Sequence, residues 1–65
     1  MNDSLFKAIQ YFGSQAKLAK ALGVTPMAIS QWKKRGVTLD AAKNIEEKTN
    51  GFVTRYQLRP DYFGH

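Results

Sequence analysis

The sequence predicts an all-α fold of five short helices. Apolar residues recur every three or four positions in four stretches, which is the spacing of a helix with one buried face. Each stretch ends at a glycine, the residue that most easily adopts the left-handed backbone that stops a helix, at Gly13, Gly23, Gly36 and Gly51. Because 65 residues leave no room for a second core, we expect residues 1–65 to form a single domain.

The first predicted helix follows three candidate N-caps, Asn2, Asp3 and Ser4, and ends at Gly13. It spans about two turns, and its apolar positions are Leu5, Phe6, Ile9 and Phe12. We expect Leu5, Ile9 and Phe12 to cover the two helices that follow.

The second and third predicted helices are joined by a tight turn at Gly23. Ser14 caps the second helix, whose inward residues include Leu18, Ala19 and Leu22. Thr25 is a favourable N-cap for the third, and Pro26 suits a first helical position because its missing N–H needs no partner there. Ile29 and Trp32 form the apolar pair of this third helix.

A fourth helix is predicted after Val37, which should belong to the core. Thr38 is its N-cap, Asn50-Gly51 is its stop signal, and its inward positions are Leu39, Ala42 and Ile45.

Residues 52–64 fit two structures. Phe52, Thr54, Tyr56 and Leu58 alternate with Val53, Arg55, Gln57 and Arg59, which is an acceptable strand pattern of β-favouring residues. Thr54 and Gln57, however, have the spacing of a capping box, and Pro60 would end a short helix that begins there. Periodicity alone does not decide between strand and helix.

Composition favours a polyanionic partner. Ten lysine and arginine residues against five acidic ones give a net charge of +5 and a pI near 9.8. Such a balance suits DNA, RNA or an anionic membrane surface. Because glycines interrupt every helical stretch, a membrane-surface peptide with one long apolar face is not expected.

The same composition gives no support for catalysis or metal binding. The chain has no cysteine, its one histidine is the terminal His65, and no Gly-rich phosphate loop or metal-ligand spacing occurs. We therefore expect no enzyme activity, cofactor, metal or small-molecule substrate. The lack of cysteine, of a signal peptide and of a long apolar run favours a cytoplasmic location.

Small Ala19, Gly23 four residues later and Ile29 six residues after that resemble the helix-turn-helix of phage repressors and Cro proteins. The resemblance extends through TNG at residues 49–51 and V-T-R-x-x-L-R-P-D-x-F-G at residues 53–64. After the third helix this family has either further helices or a β-hairpin. The strong helical pattern of residues 39–49 is similar to the helical, YdaS/Cro-like form, which implies a five-helix, lambda-repressor-like domain. The alternative is the α+β Cro form with a C-terminal β-hairpin.

The resemblance implies that the chain binds operator DNA as a small phage or prophage repressor. The recognition helix would be residues 25–35, and its base-reading candidates are Thr25, Pro26, Met27, Ala28, Ser30, Gln31 and Lys34. Residues at the start of the second helix and the end of the third are suited to phosphates, namely Ser14, Gln15, Lys17, Lys33 and Arg35.

One recognition helix covers only a few base pairs, so a weak homodimer on an inverted repeat is expected. Candidate interface residues, for which core filling is the rival explanation, are Phe52, Val53, Tyr56 and Leu58. The alternative function is an antitoxin-like regulator that acts mainly through protein contacts of its C-terminal aromatic residues.

Overall fold

Helices are the only regular elements in the computed structural model, which describes residues 3–63. They are α1 (Asp3–Phe12), α2 (Gln15–Leu22), α3 (Pro26–Arg35), α4 (Leu39–Lys48), α5 (Arg55–Leu58) and α6 (Pro60–Phe63). Because no strand occurs between residues 3 and 63, the predicted all-α class is confirmed and the β-hairpin alternative is wrong. The predictions for Asn2, Gly64 and His65 lie outside the described residues.

The core is built around α2, which packs against α1, α3 and α4, while α5 packs against α1 and α4. Within residues 3–63 the core contains twelve buried apolar residues, which are Leu5, Ala8, Leu18, Ala19, Ile29, Trp32, Val37, Ala41, Ala42, Ile45, Val53 and Leu58. Val37 is buried as predicted, whereas Leu39, Ile9 and Phe12 are only partly buried. Ala41, not Leu39, completes the inward face of α4. No helix within residues 3–63 has the length and apolarity needed to cross a membrane.

Three predicted N-caps are confirmed. Ser14 Oγ accepts from the Lys17 N–H at 3.1 Å, and the hydroxyls of Thr25 and Thr38 accept from backbone N–H groups three residues later at 3.2 Å each. Each cap satisfies an N–H that has no partner inside the helix. Gly23, at φ 74°, ends α2 in the left-handed conformation that places α3 across it.

The C-terminal stretch is helical and contains the complete capping box. The Gln57 N–H donates to Thr54 Oγ1 at 3.2 Å, and the Thr54 N–H donates to Gln57 Oε1 at 3.1 Å. Pro60 ends α5 as expected, but it also begins a further helix, α6, so residues 3–63 contain six helices and not five. The reason is that proline at a first helical position loses no hydrogen bond, while Arg59 before it takes the extended φ of −133°.

Thr49 is the buried polar residue that connects α4 to this stretch. Its hydroxyl donates to the Ile45 carbonyl oxygen at 2.7 Å and accepts from the Val53 N–H at 3.1 Å. Val53 and Leu58, which follow this turn, are 0% and 2% exposed. The expectation that these two residues form a dimer interface is therefore wrong, because core packing inside one chain already covers them.

Candidate nucleic-acid interface

One side of α3 is buried and the opposite side is polar and exposed. Ile29 and Trp32 face the core. Because successive helical residues are about 100° apart, the side opposite this pair carries Met27, Ser30, Gln31 and Lys34. All four are exposed, Met27 to 70%. We call these four residues the reading face.

The other three base-reading candidates lie at the edge of this face. Thr25 and Pro26 are exposed at its start, where Thr25 is the N-cap. Ala28 is partly buried and packs against the core, so less of its surface is available to a ligand.

The crossing of α2 and α3 depends on small side chains. Ala19 is 2% exposed beneath α3, and the Val24 N–H donates to its carbonyl oxygen at 2.9 Å. Ile29, fully buried, fills the space between the two helices. This arrangement is a helix-turn-helix, and it turns the reading face away from the rest of the chain.

Gln15 joins the start of α2 to the side of α3 with three hydrogen bonds. Its Nε2 donates to the Pro26 carbonyl oxygen and to Ser30 Oγ, each at 2.8 Å. Its Oε1 accepts from Lys33 Nζ at 2.6 Å. Since both amide hydrogens are engaged within the chain, a phosphate contact by Gln15 remains a prediction only for its backbone N–H.

The start of α2 has donors that face outward. Ser14 caps the Lys17 N–H, whereas the N–H groups of Gln15 and Ala16 have no acceptor within residues 3–63. Lys17 is exposed beside them. Free N–H groups and a cation at the positive end of a helix dipole are suited to bind a phosphate.

The end of α3 carries the remaining predicted cations. Lys33, Lys34 and Arg35 are exposed, and they line an open groove together with Asp3, Gln57 and Pro60. Lys33 lies near Gln15, to which it donates a hydrogen bond, whereas Arg35 is the last residue of α3.

Charge is distributed unevenly along the chain. The first 35 residues contain one acidic residue, Asp3, and six basic ones, Lys7, Lys17, Lys20, Lys33, Lys34 and Arg35. The last 30 residues contain four of each sign. The whole net charge of +5 therefore belongs to the half that contains the helix-turn-helix.

The second half presents aromatic side chains. Phe52, Tyr56 and Tyr62 are 59%, 55% and 58% exposed. Phe63 makes edge-on contacts with Tyr56 and Tyr62, at centroid separations of 6.3 and 4.9 Å. We call Phe52, Tyr56 and Tyr62 the aromatic surface. Of the predicted interface residues, only Phe52 and Tyr56 are available to a partner.

Sequence reasoning did not include Tyr11 in this region. Its ring lies 5.4 Å from that of Phe52, centroid to centroid, so the C-terminal end of α1 extends the part of this surface that Phe52 forms. The signal was weak because Tyr11 occupies an ordinary exposed position of a helix.

Two ion pairs neutralise charge near the aromatic surface. Arg55 pairs with Glu46, and Arg59 with Asp61. The hydrogen bond from Arg55 holds the pKa of Glu46 below its usual value, and the bond from Arg59 does the same to the pKa of Asp61. Arg59 Nη1 also donates to the Val37 carbonyl oxygen at 2.8 Å, which fixes the C-terminal stretch to the linker after α3.

Comparison with known proteins agrees with this geometry. A family model described as "Bacterial toxin YdaS" matches residues 5–65. The chain belongs to the YdaS family. This confirms the YdaS/Cro-like resemblance deduced from the helix-turn-helix residues.

Two individual proteins extend the comparison. The chain is 37% identical over 62 residues to the "Putative transcriptional regulator YdaS" of Escherichia coli (strain K12), a match that covers 92% of this chain and 63% of that protein. The chain thus spans less than two thirds of this relative's length. The structure of the Cro protein from "putative prophage element Xfaso 1" in Xylella fastidiosa strain Ann-1 matches with a TM-score of 0.90 and 44% identity, over the full length of both chains.

Proposed function

We propose that this YdaS-family chain is a small Cro-type repressor of a phage or prophage that binds double-stranded DNA sequence-specifically. It acts at the nucleoid, in the cytoplasm of a bacterial host. The observation that carries the proposal is the reading face, four exposed residues directly opposite the buried Ile29–Trp32 pair of a helix-turn-helix. The names of the relatives, a transcriptional regulator and a Cro protein, support the same function.

Affinity and specificity come from different residues in this proposal. Lys17, Lys33 and Arg35 neutralise phosphates together with the free N–H groups at the start of α2, releasing condensed counterions. These contacts fix the position of α3 but carry no sequence information.

The reading face then selects the bases. Gln31 has the amide geometry for adenine N6 and N7, and Lys34 suits guanine O6 and N7. Met27 packs on a thymine methyl, with Ala28 at its edge, while Thr25 and Pro26 lead the helix into the groove.

The chain binds as a weak homodimer, with two copies on an inverted repeat. Phe52 and Tyr56 are the interface residues that remain exposed. Tyr11 contacts Phe52, and Tyr62 is joined to Tyr56 through Phe63. Two half-sites on one duplex raise the effective concentration of the second copy, so a weak interface suffices.

Selection from a randomised duplex pool tests the proposal. We expect the purified chain to select an inverted repeat with half-site centres about 34–36 Å apart, bound by two chains. Affinity should fall steeply with salt. Absence of any selected sequence would refute specific DNA binding, whereas saturation by one chain on an asymmetric site would refute only the dimer.

A second candidate is an antitoxin-like regulator that binds a protein through the aromatic surface. The exposed aromatic residues in a charge-balanced half favour it, since aromatic residues are enriched at protein interfaces. A pull-down from host lysate at high salt separates the two functions. A partner that stays bound to the wild-type chain but is lost from Tyr56→Ala would favour this function, because salt weakens ionic DNA contacts far more than aromatic ones.

The family description as a toxin suggests a further comparison. If induced expression arrests growth, Gln31→Ala should relieve the arrest in a DNA-binding regulator. In a protein-binding regulator, relief should follow Tyr56→Ala instead.

A further inference from the structure

The hydrogen bonds of Gln15 determine which end of its amide faces which neighbour. The Pro26 carbonyl oxygen can only accept a hydrogen bond, and the Lys33 ammonium can only donate one. The amide end 2.8 Å from Pro26 must therefore be the NH₂ group, and the end 2.6 Å from Lys33 must be the oxygen.

This orientation decides the role of the Ser30 hydroxyl. Ser30 Oγ lies 2.8 Å from Gln15 Nε2, whose hydrogens can only be donated, so Ser30 accepts this bond. A serine hydroxyl also has one hydrogen of its own. Within residues 3–63 that hydrogen has no acceptor, and Ser30 is exposed on the reading face.

We propose that Gln15 is a positioning residue that makes Ser30 a hydrogen-bond donor toward DNA, so that Ser30 selects guanine or thymine over cytosine. The reason is the pattern of the major groove. Guanine presents the acceptors N7 and O6 and thymine presents O4, whereas cytosine presents only the N4 donor. Adenine, with one acceptor and one donor, should rank between them. This inference rests on the proposed function, because it requires α3 in the major groove.

The decisive variant is Gln15→Glu, which reverses the polarity of the bond. The carboxylate keeps an acceptor for Lys33 but has no hydrogen for Ser30 or for the Pro26 carbonyl oxygen. Its second oxygen therefore moves away from Pro26, and the Ser30 hydroxyl turns and donates to it. Ser30 then offers DNA only its lone pairs. At the base next to Ser30 we expect preference to shift toward cytosine or adenine, on the order of fivefold, as for one exchanged hydrogen bond.

Ser30→Ala identifies the base position concerned. Removal of the hydroxyl should flatten preference at that position and leave the others as they are. In the Ser30→Ala background, Gln15→Glu should produce no further shift there, although the added negative charge lowers affinity for every sequence.

Two more variants serve as controls. Gln10→Glu makes the same chemical change at an exposed position of α1 and should leave all base preferences unchanged. Gln15→Met removes the amide without adding charge, and it should flatten preference at the Ser30 position. It replaces Gln15→Glu as the test if the carboxylate variant does not fold. Thermal melting of each variant checks folding.

All variants are compared by selection from the same randomised duplex pool. If the wild-type chain selects no sequence, the proposed function fails and the Gln15 inference with it. If the wild-type chain selects a site, the inference is overturned in either of two cases. One is that neither folded Gln15 variant changes preference at the position mapped by Ser30→Ala, and the other is that the shift persists without the Ser30 hydroxyl.

Discussion

The two halves of this chain contrast in what they expose. Residues 3–35 form α1 to α3, contain all the net charge, and present a polar reading face. Residues 36–63 balance their charges and present aromatic rings. Charge suits a phosphate backbone, whereas neutral aromatic surface suits a protein. Under the proposed function, DNA contact belongs to the first half of the chain and assembly to the second.

The halves also differ in how they are held together. In the first half, the crossing of α2 and α3 is held by the packing of Ala19 and Ile29 and, at the surface, by the hydrogen bonds of Gln15. In the second half, side-chain hydrogen bonds fix short helices, through Thr49, the Thr54–Gln57 capping box and Arg59. Variants that break one kind of support should therefore act differently from variants that break the other.

The largest expected effect is that of Ala19→Glu, which should unfold both halves of the chain together. It places a charge and extra bulk where two helices nearly touch, at about 3 kcal/mol or more of unfolding free energy. Circular dichroism melting measures the loss, and Ala16→Glu, the same change at an exposed position of α2, is the matched control. Wild-type melting and DNA binding of Ala19→Glu would contradict the helix-turn-helix assignment.

Thr49→Val tests the support of the second half. It keeps the shape of the side chain but leaves the buried Val53 N–H without an acceptor, which should lower the unfolding free energy by about 1–3 kcal/mol. Chemical denaturation measures this, and Thr49→Ser, which keeps the hydroxyl, should lose less. Equal stability of Thr49→Val and wild type would show that the hydroxyl does not stabilise this turn.

Gln31→Ala and Lys17→Ala separate base reading from positioning in the first half. Gln31→Ala should weaken binding to the best site by about 1–3 kcal/mol and flatten preference at one or two base pairs. Lys17→Ala should weaken all sequences alike and make the salt slope shallower by about one unit. Competition binding against the selected site measures both. A uniform loss in Gln31→Ala would mean that Gln31 contacts the backbone and that the reading face is rotated.

The smallest expected effect is the acid sensitivity of the ion pairs in the second half. Glu46 and Asp61 have pKa values lowered by Arg55 and Arg59, so their contribution to stability is complete above the ordinary carboxyl pKa. It is lost as the pH falls through the lowered values. Melting between about pH 6 and 2 should therefore show declining stability, and Glu46→Gln should decline less steeply. Glu47→Gln, which leaves both ion pairs intact, is the control.

The helix boundaries of this fold could be predicted because their signals are local. A cap such as Ser14 acts three residues away, and Gly23 acts on its own backbone, so both are visible in sequence. The Thr54–Gln57 spacing was also visible, but the alternating pattern around it was equally regular. Tertiary packing decided between them by burying Val53 and Leu58.

The residues of the candidate site could be predicted from the sequence, but the hydrogen bonds between them could not. Helical spacing alone indicated which residues of α3 face outward. The bond from Gln15 to Ser30 spans fifteen residues and depends on the angle at which α2 crosses α3, which no local pattern specifies. Pro60 ends α5 as expected, but the helix that it begins was not predicted, since proline can both end one helix and begin another.

The buried Thr49 hydroxyl has a consequence for amide hydrogen exchange. Phe52, Val53 and Thr54 lie outside any helix, and all three N–H groups are hydrogen-bonded, to the Thr49 carbonyl, the Thr49 hydroxyl and the Gln57 side chain. Only the Val53 bond is buried. Local fraying therefore exposes the N–H groups on either side to solvent, whereas that of Val53 exchanges its hydrogen only when the core itself opens. A single protected amide inside a turn then reports on the global unfolding of the whole chain.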